Sequence, residues 1–179
     1  MKQSTNSCVL FSGGWDSVAC ALMYKDSHNP DLLFVNYGQN YLLNEVRSAK
    51  AFAEHQHMRL IQKQFPLQHD QERRNFYLMS FAKLQGYDTI IMGSRNFIPL
   101  FDKYKDSNWW SLKRYAAMMN VEVLLPITGW DKKRIVSYVR DLYPNRPYNC
   151  YANSADFRSC KCPNCTELRN IGYGEHDHL

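Results

Sequence analysis

Two groups of residues in this 179-residue chain have the types and spacing that chemistry requires. The first is the run Ser12-Gly13-Gly14-Trp15-Asp16-Ser17. Adjacent glycines permit a tight turn and let a ligand come close to the backbone. Where a helix starts at such a turn, its free N–H groups and its dipole make an anion site. The hydroxyls of Ser12 and Ser17 add donors for phosphate oxygens. Asp16 has the wrong sign for an anion, but the right one for Mg2+ or for a helix cap. The run is not a Walker loop, because no Gly-Lys-Ser/Thr closes it, and it is not a dinucleotide fingerprint. The second group is Cys150, Cys160, Cys162 and Cys165. In a chain read as cytoplasmic, such a cluster points to a metal ahead of disulfides. Four thiolates suit tetrahedral Zn2+ at about 2.3 Å, and a site filled by four protein ligands has no position for water, so the expected role is structural. A disulfide pair is the competing reading. Zinc on four thiolates would lower the formal net charge from +5 to +3. Cys8 and Cys20 sit alone in apolar settings and are expected in the core. His176 and His178 lie in a tail expected to fray.

A lone Ser-Gly-Gly turn is usually only a turn, so its weight depends on the elements around it. Val9-Leu10-Phe11 is an apolar run that stops at Ser12, and residues 16–25 have helical spacing through Val18, Ala19, Leu22 and Met23. Leu32-Leu33-Phe34-Val35 is a second buried-strand run, ended by Asn36-Tyr37-Gly38. Residues 42–57 read as an amphipathic helix, 59–64 as a weaker strand and 75–85 as a helix stopped by Gly86. Thr89-Ile90-Ile91-Met92 is a strand ending at Gly93-Ser94. Residues 109–119 are helical, 121–125 form a strand closed by Pro126, and Asp131 caps a helix through Ile135, Val136 and Val139. This alternation predicts an α/β fold: a doubly wound, Rossmann-like, mostly parallel five-stranded sheet with helices on both faces. Ligands of such sheets bind beyond the carboxyl ends of the strands, where the Ser-Gly-Gly turn lies. The best boundary is at 144–147. It divides an α/β domain, 1–145, from a cysteine-rich segment, 146–179.

Composition sets the outer bounds. Hydrophobic residues make up 45% and charged residues 22% of the chain. That excludes a mainly disordered or collagen-like chain, and no apolar run reaches the roughly 18 residues of a membrane helix. The length suits one domain with a core, not two full ones. The apolar stretch at 8–11 is too short for a signal-peptide core, so the expected location is cytoplasmic. Residues 1–90 carry 9 basic and 8 acidic side chains, and residues 91–179 carry 13 and 9. The mild positive bias of the second half suits an anionic ligand such as a nucleotide, and equally a solvated basic surface.

Ser-Gly-Gly-x-Asp-Ser in this setting resembles the pyrophosphate loop of the N-type ATP pyrophosphatases (the PP-loop superfamily), whose fold is adenine nucleotide alpha-hydrolase-like. The tail narrows the resemblance. Cys150-Tyr151 followed by Cys-Lys-Cys-Pro-Asn-Cys and then Arg169 is similar to the end of the 7-cyano-7-deazaguanine synthase (QueC) family. Asn36-Tyr37-Gly38-Gln39 with Glu45, Arg74-Asn75, Tyr104 with Asp106, and Pro126 with Lys132 resemble further segments of that family. The likeness runs from about residue 8 to 173. It departs from the family at Asn40-Tyr41, at Lys105, Ser107 and Asn108, in a short stretch between Gln64 and Arg74, and in the cysteine group, which is Cys-x-Cys-x2-Cys where the family has Cys-x2-Cys-x2-Cys.

The resemblance implies a ligase that uses ATP and Mg2+ to join ammonia to 7-carboxy-7-deazaguanine, first as an amide and then as a nitrile, for 7-deazaguanine or queuosine biosynthesis. It implies Ser12, Gly13, Gly14, Trp15, Asp16 and Ser17 at the nucleotide, with Asp16 at Mg2+. Lys132 and Arg95 are the candidate cations near the phosphates. Gln39, Tyr104 and Asp106 are the candidate substrate residues. Cys150, Cys160, Cys162 and Cys165 would hold one structural Zn2+ per chain. A homodimer is implied; membrane and nucleic acid are not expected as partners. Two other readings stay open: another adenylating enzyme of the superfamily, forming an amide or modifying tRNA, and a non-catalytic nucleotide-binding zinc protein.

Overall fold

The apolar runs become the interior of a parallel sheet covered on both faces. The computed structural model describes residues 6–65, 73–95, 108–148, 150, 152 and 159–173. The elements in chain order are β1 (Ser7–Leu10), α1 (Trp15–His28), β2 (Asp31–Asn36), α2 (Leu42–Gln56), β3 (Leu60–Gln64), α3 (Arg74–Leu84), β4 (Thr89–Ile91), α4 (Trp109–Met118), β5 (Glu122–Leu124), α5 (Lys132–Leu142) and α6 (Pro163–Asn170). The strand order is β3-β2-β1-β4-β5, and every neighbouring pair is parallel. The chain winds outward from β1 to β3, then crosses back to β4 and β5. The switch point is therefore between β1 and β4, and the crevice beyond their carboxyl ends is where a ligand fits in this architecture.

The period of two along each strand divides the core into two layers. Val9, Leu32, Phe34 and Ile91 pack with α1, α2 and α5 on one face. Cys8, Leu33, Val35, Ile90 and Met92 pack with α3 and α4 on the other. Burial on both faces explains why these strands read as unbroken apolar runs rather than alternating ones. The edge strand β3 carries Gln62, Lys63 and Gln64 to solvent, which blunts its exposed edge. Cys8 and Cys20 are fully buried, as their apolar settings suggested.

Helix ends follow local chemistry. Asp131 caps α5 by accepting from the Arg134 N–H at 2.7 Å. Asn108 does the same for α4, accepting from Ser111 N–H at 2.9 Å, a cap not anticipated from the sequence. Helix α1 runs to His28, past the expected end near Lys25, because Asn29 takes the left-handed conformation that closes it. The C-terminal segment contains α6, which the sequence reading did not foresee. Its Leu168 is fully buried in the same layer as Trp15 and Ile135, with Ile171 and Tyr173 packed beside it. Among the described residues, no helix is long and apolar enough to cross a membrane.

Candidate functional site

The run after β1 folds as a tight turn into α1. Gly14 is the N-cap, and no side chain caps the helix, so the first N–H groups of α1 face the cleft without a side-chain acceptor. Ser17 Oγ donates to Gly14 O at 3.0 Å and accepts from Ser12 N–H at 3.3 Å, closing the turn on itself. Gly13 has φ +74, and a Cβ there would sit 2.8 Å from Ala49 N of α2. Only glycine meets both demands. Its carbonyl accepts from Ser48 Oγ at 2.7 Å and from Tyr148 N–H at 3.2 Å. Across the switch point, a Cβ on Gly93 would meet the Asp16 backbone at 3.0 Å, so the end of β4 lies directly against α1. The Trp15 side chain is 1% exposed and packs edge-on to Tyr173 at 5.2 Å. It belongs to the core, and Trp15 can address a ligand only through its backbone N–H.

Charged side chains from four elements converge on this turn. Lys132 Nζ, at the start of α5, reaches Asp16 Oδ1 at 2.5 Å, and the Lys132 side chain is 4% exposed. Arg95 Nε lies 3.4 Å from the other oxygen, Asp16 Oδ2. The Arg95 guanidinium also donates to both carboxylate oxygens of Glu167 on α6, at 2.7 and 3.1 Å. Asp16 is thus held between two cations, so its negative charge does not oppose an anion at the turn.

The other wall of the cleft follows β2. Gln39 is buried, with its Oε1 accepting from Tyr37 N–H at 2.9 Å and its Nε2 donating to Glu45 Oε2 at 2.9 Å. Its amide holds the loop in shape. Burial pushes the Glu45 carboxyl up to about 7, although the Gln39 hydrogen bond and the Arg74 charge pull the other way. Arg74 donates to Tyr37 Oη at 3.2 Å, and Tyr37 Oη lies 3.3 Å from Tyr41 Oη. Both walls border one cleft of about 710 Å³, within the range of small-molecule sites.

The four tail cysteines come together. The Sγ atoms of Cys150, Cys160, Cys162 and Cys165 all lie within 4.8 Å of one another, and Cys150 and Cys160 are 3.5 Å apart. Tetrahedral ligands at about 2.3 Å from one ion stand roughly 3.8 Å apart, whereas bonded sulfurs stand at about 2.05 Å. The arrangement fits a metal such as zinc and has no disulfide. Removing one residue from the usual Cys-x2-Cys spacing therefore does not separate the sulfurs. Burial and the neighbouring thiols raise the Cys165 thiol, the cost that a bound cation offsets. Arg169 donates to Cys160 O at 2.6 Å and to Thr166 Oγ1 at 3.1 Å, fastening α6 to the cysteine loop.

The structure thus brings Ser12, Gly14, Asp16, Ser17, Arg95 and Lys132 around one cleft, with Gln39 on the opposite wall, while Gly13 packs against α2. Tyr104 and Asp106, and likewise Tyr151, His176 and His178, lie outside the described residues. Sequence reasoning missed Ser48, Tyr148 and Glu167, which reach the site from far along the chain and carry no local motif. Glu45 and Arg74 had been noted only as points of resemblance.

No protein-family profile matches the chain. It is 26% identical over 185 residues to 7-cyano-7-deazaguanine synthase 1 of Sulfurisphaera tokodaii, covering 90% of this chain and 89% of that protein. Among solved structures, it is 15% identical to PH1313 from Pyrococcus horikoshii, with a TM-score of 0.45 over 76% of this chain and 41% of that one. It is 12% identical to a universal stress protein family member from Burkholderia pseudomallei, with a TM-score of 0.40 over 70% of this chain and 98% of that one. Both TM-scores are low, and the fold rests on the strand order itself.

Proposed function

We propose that the chain is an ATP-dependent ligase that converts 7-carboxy-7-deazaguanine and ammonia to 7-cyano-7-deazaguanine. The observation that carries the reading is the uncapped Ser-Gly-Gly turn at the switch point, flanked by Lys132 and Arg95. Similarity to a named synthase over nine tenths of the chain supports it. A carboxylate is a poor electrophile. In this reading its oxygen attacks the α-phosphorus of ATP and pyrophosphate leaves. Ammonia adds to the acyl carbon, AMP departs with that oxygen, and a proton is released. Repeating the activation on the amide oxygen removes it as a second AMP and leaves the nitrile.

The protein's work is placement and charge stabilisation. Ser12, Gly13, Gly14, Ser17 and the Trp15 N–H would hold the pyrophosphate portion, with Lys132 and Arg95 beside it. Asp16 would take Mg2+, which neutralises phosphate charge when bound, and would give up its longer contact to Arg95 to do so. Gln39 shapes the substrate wall through Glu45, and Tyr104 and Asp106 would address the aminopyrimidine edge. Cys150, Cys160, Cys162 and Cys165 would hold zinc as a structural centre. The division at 145/146, a homodimer and a cytoplasmic setting go with this reading.

The test is incubation with 7-carboxy-7-deazaguanine, ammonium and Mg-ATP, followed by mass spectrometry. Nitrile with two AMP per turnover is the expected result. Amide alone would restrict the activity to the first activation. Absence of both products and of AMP would overturn the reading.

A further inference from the structure

The geometry points to a positioning residue outside the loop: we infer that Glu167 fixes Arg95 at the Ser-Gly-Gly turn, and that the four-cysteine cluster in turn fixes Glu167. This rests on the reading of the turn as a nucleotide phosphate site. Its consequence is that metal cluster and anion site form one mechanical unit.

Helix α6 begins inside the cluster. Cys162 is its N-cap, Cys165 lies in its first turn and Glu167 follows two residues later. Two devices hold the helix in place. Arg169 ties it to Cys160 O, and Leu168 is fully buried in the core. Glu167 therefore projects from a rigid platform. From there it accepts from both terminal nitrogens of the Arg95 guanidinium, at 2.7 and 3.1 Å. A bidentate fork fixes the plane as well as the position of the group. The Arg95 backbone is set separately, since its carbonyl accepts from Gly129 N–H at 2.9 Å. With both ends fixed, Arg95 Nε lies 3.4 Å from Asp16 Oδ2.

The two partners are about a third exposed, 29% and 35%, so the pair contributes little to stability. Its value is the rotamer that it selects, because an unheld arginine side chain samples many rotamers. A second tether runs in parallel. Tyr148, two residues before Cys150, donates its N–H to Gly13 O at 3.2 Å and to Ser48 Oγ at 3.0 Å. Its carbonyl lies 3.2 Å from where a Cβ on Gly14 would be. Both ends of the cysteine segment thus bear on residues 12–17, one on the glycines and one on Asp16.

The experiment uses the full-length, zinc-loaded chain and its Glu167→Gln, Arg95→Ala and doubly substituted variants. Mg-ATP affinity is read by calorimetry, zinc content by elemental analysis, and amide hydrogen exchange in residues 12–17 by mass spectrometry. Glu167→Gln should weaken Mg-ATP about tenfold, as loss of a charge-assisted pair would, with zinc still near one per chain. Combined with Arg95→Ala, it should add nothing further, because Glu167 acts through Arg95. Exchange in residues 12–17 should quicken in Glu167→Gln and again when zinc is chelated. Fully additive losses, loss of zinc from Glu167→Gln, or exchange changes confined to residues beyond 145 would each overturn the assignment. A wild-type chain that ignores Mg-ATP would refute the nucleotide reading instead. The exchange result would then still decide the role of Glu167.

Discussion

Replacing Glu45 with glutamine should stabilise the protein, and should do so only towards high pH. Glu45 is 7% exposed and lines the cleft. Burial raises it from 4.5 to about 7, against the opposing pull of Gln39 and Arg74. A carboxyl raised in the folded state gives full stability below its unfolded pKa and loses it as pH rises through the folded one. That window is about pH 4.5 to 7, and the gap corresponds to roughly 3 kcal/mol once both forms are ionised. Glutamine keeps the shape and can still accept from Gln39 Nε2, but it does not titrate. The variant should match wild type near pH 4.5 and exceed it by roughly 3 kcal/mol at pH 8. For a chain of this length that is about 9 °C in Tm. Thermal unfolding at pH 4.5, 6, 7 and 8 reads the difference directly. A gap that does not change with pH, or a loss of stability at pH 8, would mean that Glu45 is ionised and paired, and the burial argument would fail.

Three further outcomes follow from the same geometry. Gly13→Ala meets both a positive φ and a 2.8 Å contact with Ala49 N, so it should cost at least about 2 kcal/mol in urea unfolding and abolish nucleotide binding. Asp16→Ala strands the ammonium of Lys132 and should cost roughly 3 kcal/mol, most of which returns in the Asp16→Ala/Lys132→Leu double variant; a cost under about 1 kcal/mol would show that water replaces the carboxylate. Cys165→Ser should lower zinc below one per chain by elemental analysis and reduce Tm, while Cys20→Ser should leave zinc content unchanged.

What could be read from the sequence was what short-range chemistry determines. Leu32-Leu33-Phe34-Val35 announced a strand because burial on both faces makes every position apolar. Asp131 announced a helix start because its side chain bonds only three residues away. The Ser12–Ser17 turn was legible because its glycines and hydroxyls serve each other within six positions. Helix α6 was hidden because it starts inside the cysteine group and, of its residues, only Cys165 and Leu168 are buried. Ser48 and Tyr148 were hidden for another reason. They act on Gly13 through one hydroxyl and one backbone N–H, across separations of 35 and 135 residues, where neither period nor composition leaves a trace. Gln39 showed the opposite limit. The family resemblance suggested a group that reads a substrate, while in the fold its amide is engaged with Tyr37 and Glu45.

The link between Gly13 and Tyr148 also imposes an order of events during synthesis. β1 lies at the centre of the sheet, yet its partner β4 begins at Thr89, and the clasp over the turn arrives only with Tyr148. Contacts between such distant residues form slowly, and a growing chain cannot form them until the later partner has left the ribosome. A nascent chain that stops short of Tyr148 exposes an unclasped Ser-Gly-Gly turn. The turn at residues 12–17 is therefore completed only after Tyr148, 135 residues beyond Gly13, has emerged.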